Sequence, residues 1–470
     1  MQTKASFYDT VTERELKNKA LAYEAAAEGI VLLENDGVLP MKPGKLALFG
    51  AGAAYTIQGG SGSGEVNVRH AVNALEGLEN VGFTVTTKDW IDRYDAAWRR
   101  GKEAFIRENR KKLRKLNAKV LAALMAAEYR YPSGDAITEQ EIKASGTETC
   151  VYILSRQSGE GHDRRNEAGS FRLTETEIMN IRLCAGCYAR FVLVLNTGAV
   201  IDLSPLDEIK GINALVYMNQ LGMEGGNALA AVLTGKRTPS GKLAVTWPKS
   251  YADVPFGSEF GKPDCDTARY KEGIYVGYRY FDSFGVEPRY AFCLNFKNCD
   301  QIEIHNLTIG HVEGGNCQGG VIGVQGGWRV SIHHCDLYGC GTYGVQLQDT
   351  RDFSMYSSNI HDCTYGIMTL KNVAFAKFEK CDFFHNREFS LIESRGSDVN
   401  FYQCRFFANH GDSPLFNFDR EFFLAGCEIY HPTENLGTID LADQSGPKNK
   451  FVENPFDRDI KSRGIGPDQK

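Results

Sequence analysis

CDLYGCGTYGVQLQDTRDFSMYSS (335–358), NIHDCTYGIMTLKNVAFAKFEK (359–380), CDFFHNREFSLIESRGSDVNFYQ (381–403), CRFFANHGDSPLFNFDREFFLAG (404–426) and CEIYHPTENLGTIDL (427–441) align as copies of one unit, with a period of about 22 to 24 residues. Each copy opens with Cys or Asn and places an aromatic or aliphatic residue two positions on. A second strand such as GVQLQ or LFNFD follows about ten residues later. A single copy cannot bury its apolar side, whereas stacking coil on coil turns each position into a ladder of like side chains. The pattern predicts a right-handed parallel β-helix. An earlier coil is expected in CDQIEIHNLTIGH (299–311), ahead of the Gly-rich insertion VEGGNCQGG (312–320). Asn306, Cys335, Asn359, Cys381, Cys404 and Cys427 are expected to stack at one corner, which accounts for many cysteines without redox chemistry. About six coils are expected over 293–443, with 444–470 a polar, unpatterned tail.

Upstream, over 1–292, the pattern changes to short apolar strands alternating with helices, the signature of an α/β sandwich with a mainly parallel sheet. LALFG (46–50), FTVTT (83–87), CVYILS (150–155), FVLVLN (191–196), ALVYM (214–218) and LAVTW (243–247) read as strands. Helices are expected near 12–28, 69–80, 93–129, 174–187 and 223–234. The basic run RENRKKLRKLNAK (107–119) intersperses its charges with apolar residues at helical spacing, so it reads as a solvated helix face.

The 470 residues carry 53 Lys and Arg against 59 Asp and Glu, a formal charge of −6, which argues against a phosphate-tracking surface and hence against nucleic acid as partner. With 42% hydrophobic and 24% charged residues the composition is that of a folded protein, and no apolar run is long enough for a membrane span. The first residues, MQTKASFYDTVTERELKNKA, show no apolar signal region, so a cytoplasmic location is the expectation. Thirteen cysteines, an odd number, disfavour a disulfide framework. Cys184 and Cys187 form the lone C-x-x-C and lack a second pair at zinc spacing, so they are expected to be buried helix thiols, with no metal and no cofactor.

Loops at the carboxyl ends of parallel strands face the ligand crevice of such sheets. RQSGEGHDRRNEAGSFRLTETE (156–177) leaves the CVYILS strand there, placing Ser158, Glu160, His162, Asp163 and Arg164 where chemistry is done, and glycines on both sides of Glu160 let the backbone expose its carboxyl. QGGSGSGEVN (58–67), with Gln58, Gly59, Gly60 and Ser61, follows the first strand to the same edge. No Gly-Lys-Ser/Thr closes it, so it is not a phosphate loop.

Six segments in order, EGIVLLENDGVLPM (28–41), QGGSGSGEVN, SGEGHDR (158–164), VLNTGAVIDLSPL (194–206), GKRTPSGKLAVTWP (235–248) and EGIYVGYRYFDSFGVEPRYAF (272–292), resemble the second, α/β-sandwich domain of the β-glucosidases of glycoside hydrolase family 3. The resemblance covers about 15–292 and fits the permuted arrangement in which the catalytic barrel follows this domain. It implies a retaining glycosidase acting on a β-glucoside or oligosaccharide, with an Asp nucleophile on the barrel and a general acid/base on this domain. The acid/base of the family falls on Glu160, and Asp163 and Arg164 are expected to hold the loop. After Phe292 the sequence turns into β-helix coils rather than the rest of such an enzyme, so the nucleophile is expected from a barrel in trans. The KDW at 88–90 echoes the pattern around the family nucleophile, yet it lies between a strand and a helix, and Asp89 is not expected to act.

The β-helix resembles carbohydrate-active repeat proteins in architecture, which fixes fold rather than activity. On one outward face Gln346, Gln348, Glu393, Asn417, Asp419 and Asp440 form a polar row, expected to be an ordinary solvated face. Glu393, Asp419 and Asp440 are the acid/base candidates should that face be a site. His333 and His334 are adjacent on a strand and so face opposite ways, one a surface and one a turn residue.

Overall fold

A computed structural model describes residues 10–61, 66, 68–113, 129–157, 164–259, 271–311, 319–339, 343–388, 390–411 and 414–452. The chain divides into two compact units, 1–271 and 272–470.

The first unit is built on a six-stranded sheet. Its strands are β1 (Val31–Asn35), β2 (Lys45–Phe49), β3 (Thr84–Val85), β4 (Thr149–Arg156), β5 (Arg190–Thr197) and β6 (Ala214–Tyr217), in the order β1-β6-β5-β4-β2-β3. All neighbours run parallel except β1, which pairs antiparallel with β6. β4 is buried along its whole length and β5 beyond its first residue, so both read as continuous apolar runs. The helices are α1 (Glu13–Gly29), α2 (Ala74–Asn80), α3 (Lys88–Leu113), α4 (Glu139–Ser145), α5 (Glu175–Cys187) and α6 (Gly225–Leu233). Three of them begin with Thr-x-x-Glu: Thr12 with Glu15, Thr138 with Glu141 and Thr174 with Glu177 each close a capping box, satisfying two backbone donors reciprocally.

Two expectations change here. LAVTW (243–247) is not a strand, because β1 occupies the sheet edge beside β6 and leaves it no ladder; Val245 is exposed and Trp247 packs its buried ring against Tyr217 at 5.4 Å. Cys184 is buried as expected, but Cys187, the last residue of α5, is exposed.

Among the described residues, the second unit stacks parallel strands into three long sheets of six, seven and seven strands and a two-stranded one, in which Arg387–Glu388 pairs with His410–Gly411. Tyr343–Gln348, Arg351–Tyr356 and Asn359–His361 make one coil, and its corners at Asp349, Ser357 and Asp362 have left-handed backbone, with φ of 49°, 47° and 55°. In the next coil Asn372, Lys380 and His385 repeat the same corners. Inside, Ile304, Ile332, Met355, Phe378, Phe401 and Leu424 form one buried column, and Leu337, Ile360, Phe383, Phe406 and Ile429 another. Phe378 stacks on Phe401 at 5.1 Å and Phe383 on Phe406 at 4.9 Å. The stack runs past 443: Lys450–Val452 pairs with Glu428–Tyr430, so this part of the expected tail is a sheet strand.

The cysteine column is corrected by one residue in two places. Asp336 pairs with Asn359, so the column reads Leu307, Cys335, Ser358, Cys381, Cys404, Cys427, and the spacing from Cys335 onward is uniformly 23. Ser358 does the polar work expected of Asn359, its Oγ accepting from the Cys335 amide at 3.0 Å. Asn359 instead lies in the Asp336 column, donating to Asp336 Oδ1 at 2.9 Å, and Asn306 sits at a left-handed corner with φ 57°. Cys381, Cys404 and Cys427 each donate Sγ–H to a carbonyl of the preceding coil, on Met355, Phe378 and Phe401 at 3.4 to 3.5 Å. No helix among the described residues is long and apolar enough to cross a membrane.

Candidate functional site

The carboxyl ends of β2, β4, β5 and β6 lie at one edge of the sheet. Gly50 follows β2, and its φ of 93° turns the chain sharply; a Cβ there would lie 2.3 Å from the Ile153 carbonyl oxygen, so only glycine permits the close pass over β4. At the end of β5, Asn196 is fully buried and ties three loops together. Its Oδ1 accepts from the Ile57 amide at 2.6 Å, and its Nδ2 donates to the carbonyls of Ile57 at 3.0 Å and Asn219 at 2.7 Å. Ser155, near the end of β4, adds its hydroxyl to Asn196 Oδ1 at 3.2 Å. The Gln58 carbonyl accepts from the Gly222 amide at 2.8 Å, joining the loop after β2 to that after β6.

Gln157, the first residue beyond β4, donates Nε2–H to the Gly59 carbonyl at 3.1 Å, so the two loops singled out in the sequence meet. Just before it, Arg156 is locked by Glu177 in a bidentate pair at 2.6 Å on both oxygens, with the two side chains 6% and 3% exposed. Arg156 also donates to the carbonyls of Ser155 at 2.9 Å and Ser170 at 3.2 Å, fixing both the exit of the loop and its return. Arg164 donates to the Ser170 carbonyl at 3.3 Å and to Thr197 Oγ1 at 3.1 Å. Burial raises the Tyr217 phenol above its ordinary range, and the Arg164 charge pulls it partly back.

Gln58, Gly59, Gly60, Ser61 and Arg164 therefore lie at one sheet edge. Ser158, Glu160, His162 and Asp163 fall outside the described residues. Asp89 is exposed in the first turn of α3, four residues past the end of β3. Sequence reasoning missed Arg156, Gln157, Glu177, Asn196 and Gln220, whose Nε2 is buried without a hydrogen-bond partner among the described residues. A signal for Glu177 was present, since it closes the Thr-x-x-Glu capping box of α5.

On the β-helix, Gln346, Thr369, Glu393 and Asn417 pair in direct register, and Gln348, Lys371 and Arg395 form the parallel row two residues on. Glu393, Asp419 and Asp440 are not a column. Asp419 lies beyond the end of its strand, accepting from the Gly396 amide at 2.9 Å, and Asp440 is exposed in a short 3-10 turn. The three lie 12, 15 and 13 residues after Cys381, Cys404 and Cys427, so they do not take equal places in the coil. Glu393 is ion-paired with Arg395 at 3.1 Å. His333 stacks between His305 and Tyr356 at 5.1 and 4.7 Å, and His334 is the turn residue, with φ 53°.

Residues 30–278 match the family model described as glycosyl hydrolase family 3 C-terminal domain, and 292–456 match that of the right handed beta helix region. The chain is similar to beta-glucosidase A of Butyrivibrio fibrisolvens, 33% identical over 291 residues, covering 57% of this chain and 33% of that protein. It is likewise 33% identical over 278 residues to a beta-glucosidase of Ruminococcus albus, covering 57% of this chain and 26% of the other. Among solved structures, beta-glucosidase 3B of Thermotoga neapolitana in complex with glucose aligns with a TM-score of 0.48 at 32% identity, over 59% of this chain and 38% of that one. The chain thus spans about a third of the length of the curated relatives it matches. Over more than half of its length, in a parallel α/β unit whose glycine-rich and post-β4 loops meet at one edge, the chain belongs to the glycosyl hydrolase family 3 C-terminal domain family.

Proposed function

We propose that the α/β unit supplies the acid/base half of a retaining β-glucoside hydrolase, with Glu160 as the proton donor and the carboxylate nucleophile contributed by residues outside these 470, in the same polypeptide or in trans. The observation that carries this reading is the hydrogen bond from Gln157 to Gly59, which ties the start of the segment that carries Glu160 to the glycine-rich loop at the carboxyl edge of the sheet. Arg156 and Arg164 bracket residues 158–163 on either side and hold both ends of that segment to the scaffold. A retaining mechanism places two carboxyl groups about 5–5.5 Å apart, one protonated to release the aglycone and the other forming the glycosyl intermediate. Glu160 fills the first role and by itself cannot fill the second. Water then attacks the intermediate while the same glutamate, now a carboxylate, takes its proton. No cofactor is needed for either step. The test is release of aryl alcohol from an aryl β-glucoside. The 470-residue chain alone should release almost none, and addition of a family barrel in trans should produce turnover that Glu160→Gln abolishes. Strong activity of the chain alone, unchanged by Glu160→Gln, would refute the reading.

A further inference from the structure

The outer face of the six-stranded β-helix sheet is hollowed into a groove of about 470 Å³ that the α/β chemistry does not use. Two rows line it, each contributed by successive coils in parallel register. One row runs Asn295, Gly323, Gln346, Thr369, Glu393, and the other runs Lys297, Gln325, Gln348, Lys371, Arg395. Adjacent strands are about 4.8 Å apart, so each row offers a polar group at that interval along the helix axis. Gly323 lowers the first row, and the space its side chain would fill is taken by the ring of Phe292, 2.7 Å from where a Cβ would stand.

The charges in the groove are uneven. Its acids are Glu287 and Glu393, and Glu393 is held by Arg395. Lys297 and Lys371 are exposed and form no ion pair among the described residues. Lys297, Lys371 and Arg395 outnumber Glu287 and Glu393, and the neutral polar lining is the amides of Asn295, Gln325, Gln346 and Gln348 and the Thr369 hydroxyl, which suits a ligand that carries both anionic groups and many hydroxyls. The lining holds one aromatic ring, Phe292, so it lacks the successive stacking platforms with which proteins hold single-stranded nucleic acid.

We propose that this groove binds a linear acidic oligosaccharide lying along the helix axis, its carboxylates on Lys297 and Lys371 and its hydroxyls on the Gln325, Gln346 and Gln348 amides. Lys297 and Lys371 are three strand spacings apart, about 14 Å, so the ligand must extend over several sugar residues to engage both. The amides donate and accept, which matches hydroxyls, while the ammonium groups only donate and select for the anion. This site is independent of Glu160, and the two proposals fail separately.

The test is titration calorimetry of the full chain with oligogalacturonate, with oligomannuronate and with a neutral cello-oligosaccharide of equal length. The wild type should bind an acidic oligomer at least tenfold more tightly than the neutral one, with affinity falling as salt rises. Lys297→Gln with Lys371→Gln should weaken binding of the acidic oligomer at least tenfold. Lys380→Gln, the same charge change at a corner on another side of the coil, should leave it unaltered, as should Glu160→Gln. Both lysines are exposed, so the double variant should keep the circular dichroism of the wild type. Equal binding of neutral and acidic oligomers, an unaffected double variant, or no binding of either acidic oligomer would overturn the proposal.

Discussion

Replacing Glu177 by Ala should destabilise the α/β unit more than any other single change near the carboxyl edge of its sheet. Arg156 makes two bonds of 2.6 Å to Glu177 and others to the carbonyls of Ser155, Ser170 and Arg172, all in a pocket where the guanidinium is 6% exposed. Removing one partner of a buried pair strands the other charge, at a cost of about 3–5 kcal/mol. Glu177 also accepts from the Thr174 amide at 2.8 Å, and losing that cap adds about 1 kcal/mol. Replacing the pair by Arg156→Met with Glu177→Leu removes both charges. It should cost only about 1–3 kcal/mol, since the Ser170 and Arg172 carbonyls then lose a donor but no charge is left buried. Urea unfolding followed by tryptophan fluorescence suits the measurement, because three of the four tryptophans, Trp90, Trp98 and Trp247, lie in the first unit. A cost below about 1 kcal/mol for Glu177→Ala, or a double variant no better than the single one, would refute the anchoring role.

Phe401→Ala should cost about 3–5 kcal/mol in the β-helix, since Phe401 is fully buried between columns and stacked on Phe378 at 5.1 Å; unfolding monitored at the single tryptophan of this unit, Trp328, reports it. Burial alone would lower the His361 pKa, but hydrogen bonds that the imidazole donates to Asp336 and Asp362 outweigh it and push the imidazole up to about 9 from 6.5. The stabilisation is therefore complete below pH 6.5 and lost as pH rises through about 9. In full it is worth roughly 3 kcal/mol, or about 2 after screening at a side chain 18% exposed, and His361→Gln should flatten the alkaline limb of the urea midpoint against pH. His431 works oppositely: burial lowers it to about 4, so stability should fall as pH drops from 6.5 towards 4, and His431→Gln should remove that acid limb. With a thiol reagent under native conditions, Cys187 should react first among the described cysteines, while Cys335, Cys381, Cys404 and Cys427 stay protected until the chain unfolds, because they are fully buried.

The repeat was legible because stacking imposes identical surroundings on residues 23 apart, and the inward Ile, Met and Phe columns follow from that constraint alone. The two misplaced column members had a physical cause. Ser358 fills the small buried slot with a hydroxyl that serves the backbone, and its lack of likeness to cysteine made the neighbouring Asn359 look like the repeat's start. In the α/β unit, β4, β5 and β6 were plain from their apolar runs, whereas β1 was masked by Glu34 and Asn35 at an exposed end. The loops that carry the site were legible from glycines after strands. Their fastening was not, because Asn196 and the Arg156–Glu177 pair act through contacts between residues far apart in sequence, which no local pattern encodes.

The central claim, that Glu160 delivers the proton to the departing group, is tested most directly by leaving-group dependence. The chain, combined with a family barrel in trans, is assayed on a series of β-glucosides from 2,4-dinitrophenyl to alkyl, as wild type and as Glu160→Gln. General acid catalysis contributes about 10²–10⁴-fold where the leaving group needs a proton. The account predicts a loss of that size for the alkyl glucosides and little loss in the glycosylation step for the dinitrophenyl one, whose anion departs unaided. Equal losses across the series, or none at all, would contradict it.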